Sequence, residues 1–254
     1  MSGAAAEHPR VLDVRGITVR YGQLTAVQDL SLDVRRGELV VLLGANGAGK
    51  SSLLRALMGI EKPAAGSIEL DGKPLGKAAS HQRVARGLGY LPEGRGVFPN
   101  LTVEENILAG LKSMGQKAQA LDTAYTLFPR MGERRKQVAG SLSGGEQQML
   151  SLSRALAGDP KILLLDELSL GLAPRVVVQL FEKIAELRDS GRSILLVEQF
   201  AHAALRIAER AGVMVSGRLT RFGPASEFSR MTADELASTY FGSTRTQDQG
   251  GETT

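Results

Sequence analysis

Short runs of apolar residues, separated by polar segments, recur along this chain. Leu39 to Leu43 and Ile162 to Leu165 are long enough for buried strands and too short for helices. Continuous apolar strands are typical of parallel sheets covered on both faces. After the second run, the pattern predicts a helix over Pro174 to Arg188, a strand over Ser193 to Val197, a helix over Ala201 to Arg210 and a strand over Gly212 to Val215. This alternation indicates an α/β layered fold.

The N-terminal part of the chain has strand character with polar residues between the apolar ones. It is found in three segments, Val11 to Arg20, Val27 to Val34 and Ser67 to Leu70. Turn sequences follow two of these segments, at Arg36-Gly37 and Asp71-Gly72. We therefore expect an antiparallel β layer beside the parallel sheet.

Helical sequence predominates between Thr102 and Ala157. Thr102 and Glu105 have the spacing of a capping box, which marks the start of the first helix. A second helix is expected after Ser143, a good N-cap residue, with four apolar residues available for packing, Met149, Leu150, Leu152 and Leu156. The sequence thus predicts a helical subdomain that interrupts the core.

The first apolar run leads into a glycine-rich loop in the strand, loop and helix context that a P-loop needs. Lys50 is expected to reach the β- and γ-phosphates, and the Ser51 hydroxyl to ligate Mg²⁺. The backbone amides of the loop and the start of the helix would surround the phosphates. A plain glycine-rich turn is the structural alternative, which the complete pattern disfavours. The expected ATP-binding residues of this loop are Gly44, Ala45, Asn46, Gly47, Ala48, Gly49, Lys50, Ser51 and Ser52.

Two further segments are candidates for phosphate chemistry. Asp166 and Glu167 end the second apolar run, and the carboxyl ends of parallel strands are where such sheets bind ligands. A solvated turn is the alternative there, and the P-loop upstream disfavours it. The second segment is a helix start with two glycines, which can bind an anion but is weak as a lone motif, and it consists of Ser143, Gly144, Gly145 and Glu146.

Composition and charge narrow the function classes. With 254 residues, the chain can bury a substantial core, and a net charge of +4 does not argue for a nucleic-acid partner. It has no cysteine, so disulfides are excluded, and it has no run of the length required to span a bilayer and no visible targeting segment. The basic cluster of Arg130, Arg134, Arg135 and Lys136 is most simply a solvated helix or loop face.

Together, the two phosphate-handling motifs carry a resemblance to a known family. From about Val11 to Gly242, the chain resembles the ATP-binding subunits of ABC transporters. The resemblance implies an α/β fold, a P-loop NTPase core with an antiparallel β layer and an inserted helical subdomain. The expected boundaries are a flexible N-terminus at 1–9, one ABC ATPase domain at 10–242 with its core at 10–93 and 159–242 and its helical subdomain at about 94–158, and a disordered tail at 243–254.

The resemblance also implies roles for individual residues. Asp166 looks like the carboxylate that holds Mg²⁺, and Glu167 would be the general base for the attacking water. Tyr21 lies where the family stacks an aromatic ring on adenine, although an aromatic residue at a strand end is often only a packing residue. The segment 143–146, called the signature loop, would contact the γ-phosphate bound to the opposite subunit. Hydrolysis would then require a dimer.

Three positions depart from the usual pattern of the family. Glu93 replaces a Gln that approaches Mg²⁺ and the attacking water; it remains an oxygen ligand but adds negative charge. Gln199 replaces a switch His, and its amide can donate a hydrogen bond to the γ-phosphate but cannot take a proton. His202, three residues on, is expected to be a solvated surface residue.

Leu168 replaces a Pro, which leaves the backbone of Glu167 less restricted. Near-normal nucleotide binding and slower hydrolysis are expected.

Glu93, the segment 169–174 and Gln199 together look like the second ATP-binding subunit of branched-chain amino acid importers. Related subunits of urea and short-chain amide importers look very similar. The implied substrate is ATP with Mg²⁺, and the implied partners are a second copy or a sister ATP-binding subunit, two membrane permease subunits and, indirectly, a solute-binding protein. The expected location is peripheral, on the cytoplasmic face of the plasma (inner) membrane, with Val97 and Phe98 as candidate permease contacts.

Two other function classes remain open at this point. One is a soluble ABC regulator or repair ATPase, against which the chain has no long coiled-coil insertion, second cassette or basic stripe. The other is a GTPase or small-molecule kinase that uses the same P-loop, which the signature loop disfavours.

Overall fold

In the computed structural model, which describes residues 8–94, 96–199, 201–231 and 235, both apolar runs form buried strands. The strands are β1 (Arg10–Tyr21), β2 (Leu24–Arg35), β3 (Leu39–Leu43), β4 (Ala65–Leu70), β5 (Lys73–Pro74), β6 (Leu88–Leu91), β7 (Ile162–Asp166), β8 (Ser193–Glu198), β9 (Arg210–Val215) and β10 (Arg218–Pro224). The helices are α1 (Lys50–Leu57), α2 (Ser80–Arg86), α3 (Val103–Leu108), α4 (Lys117–Leu127), α5 (Pro129–Glu133), α6 (Gly144–Ala157), α7 (Pro174–Asp189), α8 (Ala201–Leu205) and α9 (Ala225–Ser229), with short 3-10 turns at Met114–Gln116 and Ala139–Ser141.

The larger sheet has the strand order β10-β9-β3-β8-β7-β6. Its strands are parallel except for β10, which pairs antiparallel with β9. In β3, Leu39, Val41 and Leu43 belong to the hydrophobic cluster on one face of the sheet, whereas Val40 and Leu42 belong to the cluster on the other. Both faces are therefore covered, as the continuous apolar sequence predicts.

The smaller sheet is antiparallel, with the order β2-β1-β4-β5. Its buried residues share one hydrophobic cluster with α1 and one face of the larger sheet. The sheet therefore forms the predicted β layer beside the parallel sheet, and it brings the β1–β2 turn beside the loop that precedes α1.

Helices α3 to α6 pack together in the middle of the chain. Val103, Ile107, Met131 and Leu150 lie in their shared core, which continues onto the other face of the larger sheet. The capping box predicted at the start of α3 is present, since the Glu105 amide donates to the Thr102 hydroxyl. This region forms the helical part of the fold, and none of its described helices has the length and apolar character needed to cross a membrane.

One predicted helix is shorter than expected. The helix predicted over Ala201 to Arg210 ends at Leu205, and Arg210 begins β9. Distant partners explain the difference, because Arg210 pairs with Val40 in the sheet and its guanidinium reaches Asp33 and Glu38. The expected tail at 243–254 and most of the expected flexible N-terminus at 1–9 lie outside the described residues.

Arg210 joins the two sheets, and its loss is expected to destabilise the fold. Its Nη2 atom lies 3.0 Å from Asp33 Oδ2 and 2.8 Å from Glu38 Oε2, and the guanidinium stacks on Phe222 at 4.9 Å. Arg210→Ala removes the closest charged partner of two largely buried carboxylates and leaves Asp33 with Arg10 at 3.8 Å and Glu38 with the Arg35 amide at 2.7 Å, so the free energy of unfolding should fall by about 3 kcal/mol. Chemical denaturation measures this loss. The exposed Arg218 on β10 provides the control; an equal loss in Arg218→Ala would contradict the assignment.

Candidate functional site

The P-loop lies between β3 and α1, and its backbone requires glycine at particular positions. Gly49 has a φ of 100°, and a Cβ atom there would lie 2.2 Å from the Ala26 carbonyl oxygen. A Cβ atom on Gly44 would lie 2.6 Å from the Met214 carbonyl oxygen. Because Gly49 is also the N-cap of α1, no side chain caps this helix, and its first amide groups point toward the loop. The arrangement matches an anion site at a helix N-terminus.

The ammonium group of Lys50 is buried under the P-loop. Nζ donates to the carbonyl oxygens of Gly44 at 2.8 Å and Ala45 at 3.1 Å. It also lies 2.9 Å from Glu167 Oε1, and the two side chains are 2% and 10% exposed. The structure therefore brings the P-loop lysine into direct contact with the second carboxylate of the β7 edge.

Asp166 ends β7 beside the start of α1. Ser51 Oγ donates to Asp166 Oδ1 at 2.9 Å, and the hydroxyl of Tyr90, on the neighbouring strand β6, donates to Oδ2 at 3.2 Å. Burial raises the pKa of Asp166, and these two hydrogen bonds oppose the shift. The negative charges of Glu167 and Glu93 add to this rise in pKa, and Glu93 itself is exposed.

Ser51 and Asp166 can supply part of the ligand shell of a magnesium ion but do not form a complete cage for it. Ser51 and Asp166 supply hard oxygen ligands at hydrogen-bonding distance from each other. Among the described residues, no group of three or more His, Cys, Asp or Glu side chains could hold a metal by itself. Because Mg²⁺ usually takes one or two protein ligands and completes its shell with phosphate and water, the pair at Ser51 and Asp166 fits it.

Glu167 has an unusual backbone conformation. Its φ is 44°, in the left-handed region, and its amide donates to the Val197 carbonyl at 3.0 Å. A proline at position 168 would restrict Glu167 to extended backbone. Leu168 therefore permits a conformation that the usual family residue at this position would disfavour, and it is itself buried. The effect of Leu168 on hydrolysis stays a prediction.

Glu198, at the end of β8, is fully buried, and sequence reasoning assigned it no role. Its carboxylate accepts hydrogen bonds from the Ser169 amide at 3.1 Å, from the Ser169 hydroxyl at 2.7 Å and from the Gln199 amide at 3.2 Å. Burial raises its pKa, and the hydrogen bonds from Ser169 and Gln199 oppose that shift. Gln199 lies just beyond β8 with an exposed side chain, and His202 is exposed as predicted.

A cavity of about 510 Å³ extends from the P-loop to Tyr21. The structure thus brings Tyr21 to the predicted phosphate site. The other parts of this wall were not predicted from the sequence, since they come from the start of β2 and from the β9–β10 turn. The lining residues outside the P-loop are Tyr21, Leu24, Thr25, Ala26, Ser216 and Gly217.

The signature loop lies at a different cavity, of about 520 Å³, that shares no lining residue with the first. Ser143 caps α6, and the Glu146 carboxylate accepts a hydrogen bond from the Ser143 amide, which completes a capping box. Two arginines reach this carboxylate, with Arg134 Nη1 at 3.2 Å and Arg130 Nη1 at 3.7 Å from Glu146 Oε1. The predicted solvated face holds for Arg130, Arg135 and Lys136, which are exposed, whereas Arg134 is half-buried against Glu146.

Comparison with known proteins decides the family. The model of the family described as ABC transporter matches residues 27–169. This chain belongs to the ABC transporter family. The ABC ATPase is 47% identical over 205 residues to the high-affinity branched-chain amino acid transport ATP-binding protein BraG of Pseudomonas aeruginosa, covering 80% of this chain and 88% of BraG.

Other relatives of the ABC ATPase are named either for branched-chain amino acid transport or for different transport systems. It is 36% identical over 210 residues to the probable branched-chain amino acid transport ATP-binding protein LivF of Archaeoglobus fulgidus, covering 82% of this chain and 89% of LivF. Relatives at comparable identity include the lipopolysaccharide export ATP-binding protein LptB of Escherichia coli. A nucleotide-free ATP-binding cassette from an ABC transporter has the same fold, with a TM-score of 0.81 at 21% identity over 92% of this chain and all of that one.

Proposed function

We propose that this ABC ATPase powers the import of branched-chain amino acids by binding and hydrolysing ATP. The observation that carries the proposal is the convergence of Lys50, Ser51, Asp166 and Glu167 at one edge of the parallel sheet, beside the glycine-rich loop that leads into the N-terminus of α1. The similarity to BraG and LivF supports the choice of solute. Importers of urea or short-chain amides are the alternative, because the ATP-binding subunit does not contact the solute.

In this proposal, the triphosphate binds along the P-loop and adenine stacks on Tyr21 at the far end of the cavity. The amides of residues 44–52 hold the phosphate oxygens, and the buried Lys50 ammonium turns from the carbonyls of Gly44 and Ala45 to the β- and γ-phosphates. The structure supports this route because Lys50 and Tyr21 line the same cavity.

Ser51, Asp166 and Glu93 would hold Mg²⁺ beside the phosphates. The ion, when bound, offsets negative charge on the phosphate oxygens. Tyr90 orients Asp166 by donating to the oxygen that Ser51 does not contact. Glu93, which is exposed, would reach the site from the loop that follows β6.

Glu167 would act as the general base for the attacking water. In the structure, its carboxylate contacts Lys50 at 2.9 Å, so movement of the lysine to phosphate would release the carboxylate for the water. Gln199 would donate a hydrogen bond to the γ-phosphate and take no proton.

Hydrolysis would need a second subunit, either another copy of this chain or a sister ATP-binding subunit. The signature loop and the P-loop line different cavities of the same chain, which supports contact of the signature loop with nucleotide on the partner. The separation of the two cavities supports the proposed domain division, with the core at 10–93 and 159–242 and the helical subdomain at about 94–158.

An exposed apolar surface on the helical part would dock the permease subunits at the cytoplasmic face of the membrane. Phe98, Leu101 and Val138 are 49%, 37% and 47% exposed. The buried Asn106 side chain fixes the backbone of Phe98 through hydrogen bonds of 2.8 and 3.0 Å. Val97 is half-buried against the helical core, so Phe98 is the stronger of the two contacts predicted from the sequence.

Affinity purification of the tagged chain from gently solubilised native membranes tests the proposal. Mass spectrometry should identify two multi-span permeases and a second ATPase subunit or an excess of this chain. The accompanying solute-binding protein is then screened against leucine, isoleucine, valine, urea and acetamide. Recovery with ribosomal or repair proteins, and without permeases, would show a non-transport ABC ATPase instead.

A further inference from the structure

The carboxylate of Glu146 lies in the first turn of α6, at the helix end that is expected to bind phosphate. Glu146 Oε2 accepts hydrogen bonds from the Ser143 amide at 3.0 Å and from the Ser143 hydroxyl at 2.8 Å. The Glu146 amide in turn donates to Ser143 Oγ at 3.4 Å. Because a serine hydroxyl has one proton to donate, Ser143 gives it to Glu146 in this arrangement.

This arrangement sets two negative groups in competition. A carboxylate in the first turn is stabilised by the positive end of the helix, and that same end attracts phosphate. Glu146 is only 11% exposed, so water screens its charge poorly. A phosphate that approaches Ser143 would therefore meet an ionised carboxylate that already holds the hydroxyl proton.

Two arginines lie on the other side of the same carboxylate. Arg134 Nη1 is 3.2 Å and Arg130 Nη1 is 3.7 Å from Glu146 Oε1, while Oε2 faces Ser143. Burial pushes the pKa of Glu146 upward, but hydrogen bonds from Ser143 and the positive charges of Arg134 and Arg130 outweigh it and lower the pKa. Arg134 has the shorter contact and is 38% exposed, against 71% for Arg130, so it carries more of the compensation.

We infer that Arg134, assisted by Arg130, is a positioning residue that neutralises Glu146 and so lets Ser143 and the α6 N-terminus engage the phosphate of a nucleotide bound to the partner subunit. The inference rests on the proposed function, because it needs the signature loop to act across a dimer. Arg134 contacts Glu146 and acts on the nucleotide through it. Its importance therefore depends on the charge of residue 146.

That dependence gives a test that a structural role for Arg134 would not satisfy. A Gln at position 146 keeps the capping-box geometry and removes the charge. Glu146→Gln should therefore relieve the defect of Arg134→Ala. If Arg134 only holds α5 against α6, the defect should persist when residue 146 is neutral.

The experiment uses the full chain with Glu167→Gln, which slows hydrolysis so that ATP-bound dimers accumulate. Sedimentation velocity over an ATP titration gives the ATP concentration at half-maximal dimerisation. Arg134→Ala should raise that concentration about tenfold. Arg134→Lys should recover part of the loss, and Arg134→Ala with Glu146→Gln should return to within about twofold of its Glu146→Gln parent. Arg135→Ala, which removes the adjacent exposed charge, is the matched control and should stay within about twofold of its own parent.

The outcomes separate the inference from the proposed function. A full loss in Arg134→Ala that Glu146→Gln leaves unchanged, or an equal loss in Arg135→Ala, would overturn the inference while the dimer itself still forms. Thermal melting of each variant shows whether it still folds. If Arg134 has only a structural role, the dimerisation defect that Glu146→Gln does not relieve should be accompanied by loss of fold. If the Glu167→Gln parent forms no ATP-dependent dimer, either with itself or with the second ATPase subunit recovered from membranes, the proposed function of the chain fails and the inference fails with it.

Discussion

Replacement of Glu167 by Gln is expected to lower the rate of ATP hydrolysis by about 10²- to 10⁴-fold while ATP binding persists. The carboxylate of Glu167 can take a proton from water, whereas the amide of Gln199 at the neighbouring strand end cannot. The substitution keeps the size of the side chain and frees Lys50 from a charged partner 2.9 Å away. Phosphate release and equilibrium binding of ATP measure the two effects separately.

The matched control is Glu182→Gln on α7, which alters an exposed carboxylate. Its hydrolysis rate should equal that of the unmodified chain. If Glu167→Gln hydrolyses ATP at the same rate as Glu182→Gln, the general base lies elsewhere. A parallel loss of ATP affinity in Glu167→Gln would instead indicate a binding role for this carboxylate.

Replacement of Lys50 by Ala is expected to weaken ATP binding strongly and to abolish hydrolysis. The Lys50 side chain is 2% exposed and carries the cation of the P-loop, so loss of its charge-assisted contacts to phosphate should lower the affinity for ATP about 100-fold. The change also leaves the carboxylate of Glu167 unpaired in a largely buried place. Isothermal titration with ATP and Mg²⁺ measures the affinity, and thermal melting measures the cost to stability.

Two further variants distinguish these effects. Lys62→Ala removes an exposed lysine and should bind ATP normally. Lys50→Ala combined with Glu167→Gln should recover stability, because no unpaired charge remains, but should not recover ATP affinity. Retention of full affinity by Lys50→Ala would contradict the assignment of the P-loop as the triphosphate site.

Local signals in the sequence were sufficient for most of the fold. The apolar run of β3 followed by glycines predicted strand, loop and helix, and the capping box at Thr102 and the N-cap residue Ser143 predicted the starts of α3 and α6. In each case, the residues that determine the structure are neighbours in the chain. A pattern of apolar positions and start residues therefore contains the necessary information.

Contacts between distant parts of the chain could not be predicted from such local signals. The early end of α8 depends on partners of Arg210 in β2 and just before β3, which lie 177 and 172 residues away. Tyr90 reaches Asp166 because β6 and β7 are neighbours in the sheet, which the sequence order does not indicate. Arg134 looked like a solvent-facing residue until the fold brought it to Glu146.

The buried carboxylate of Glu198 makes two loops mechanically dependent on each other. One follows Glu167 and begins at Ser169, and the other begins at Gln199. Both loops donate hydrogen bonds of 2.7 to 3.2 Å to this side chain. If one loop shifts by about an ångström, either a buried hydrogen bond breaks or the other loop moves with it. A displacement caused by phosphate at the end of β8 can thus reach the segment after β7 through a single side chain, without rotation of a helix or a lobe.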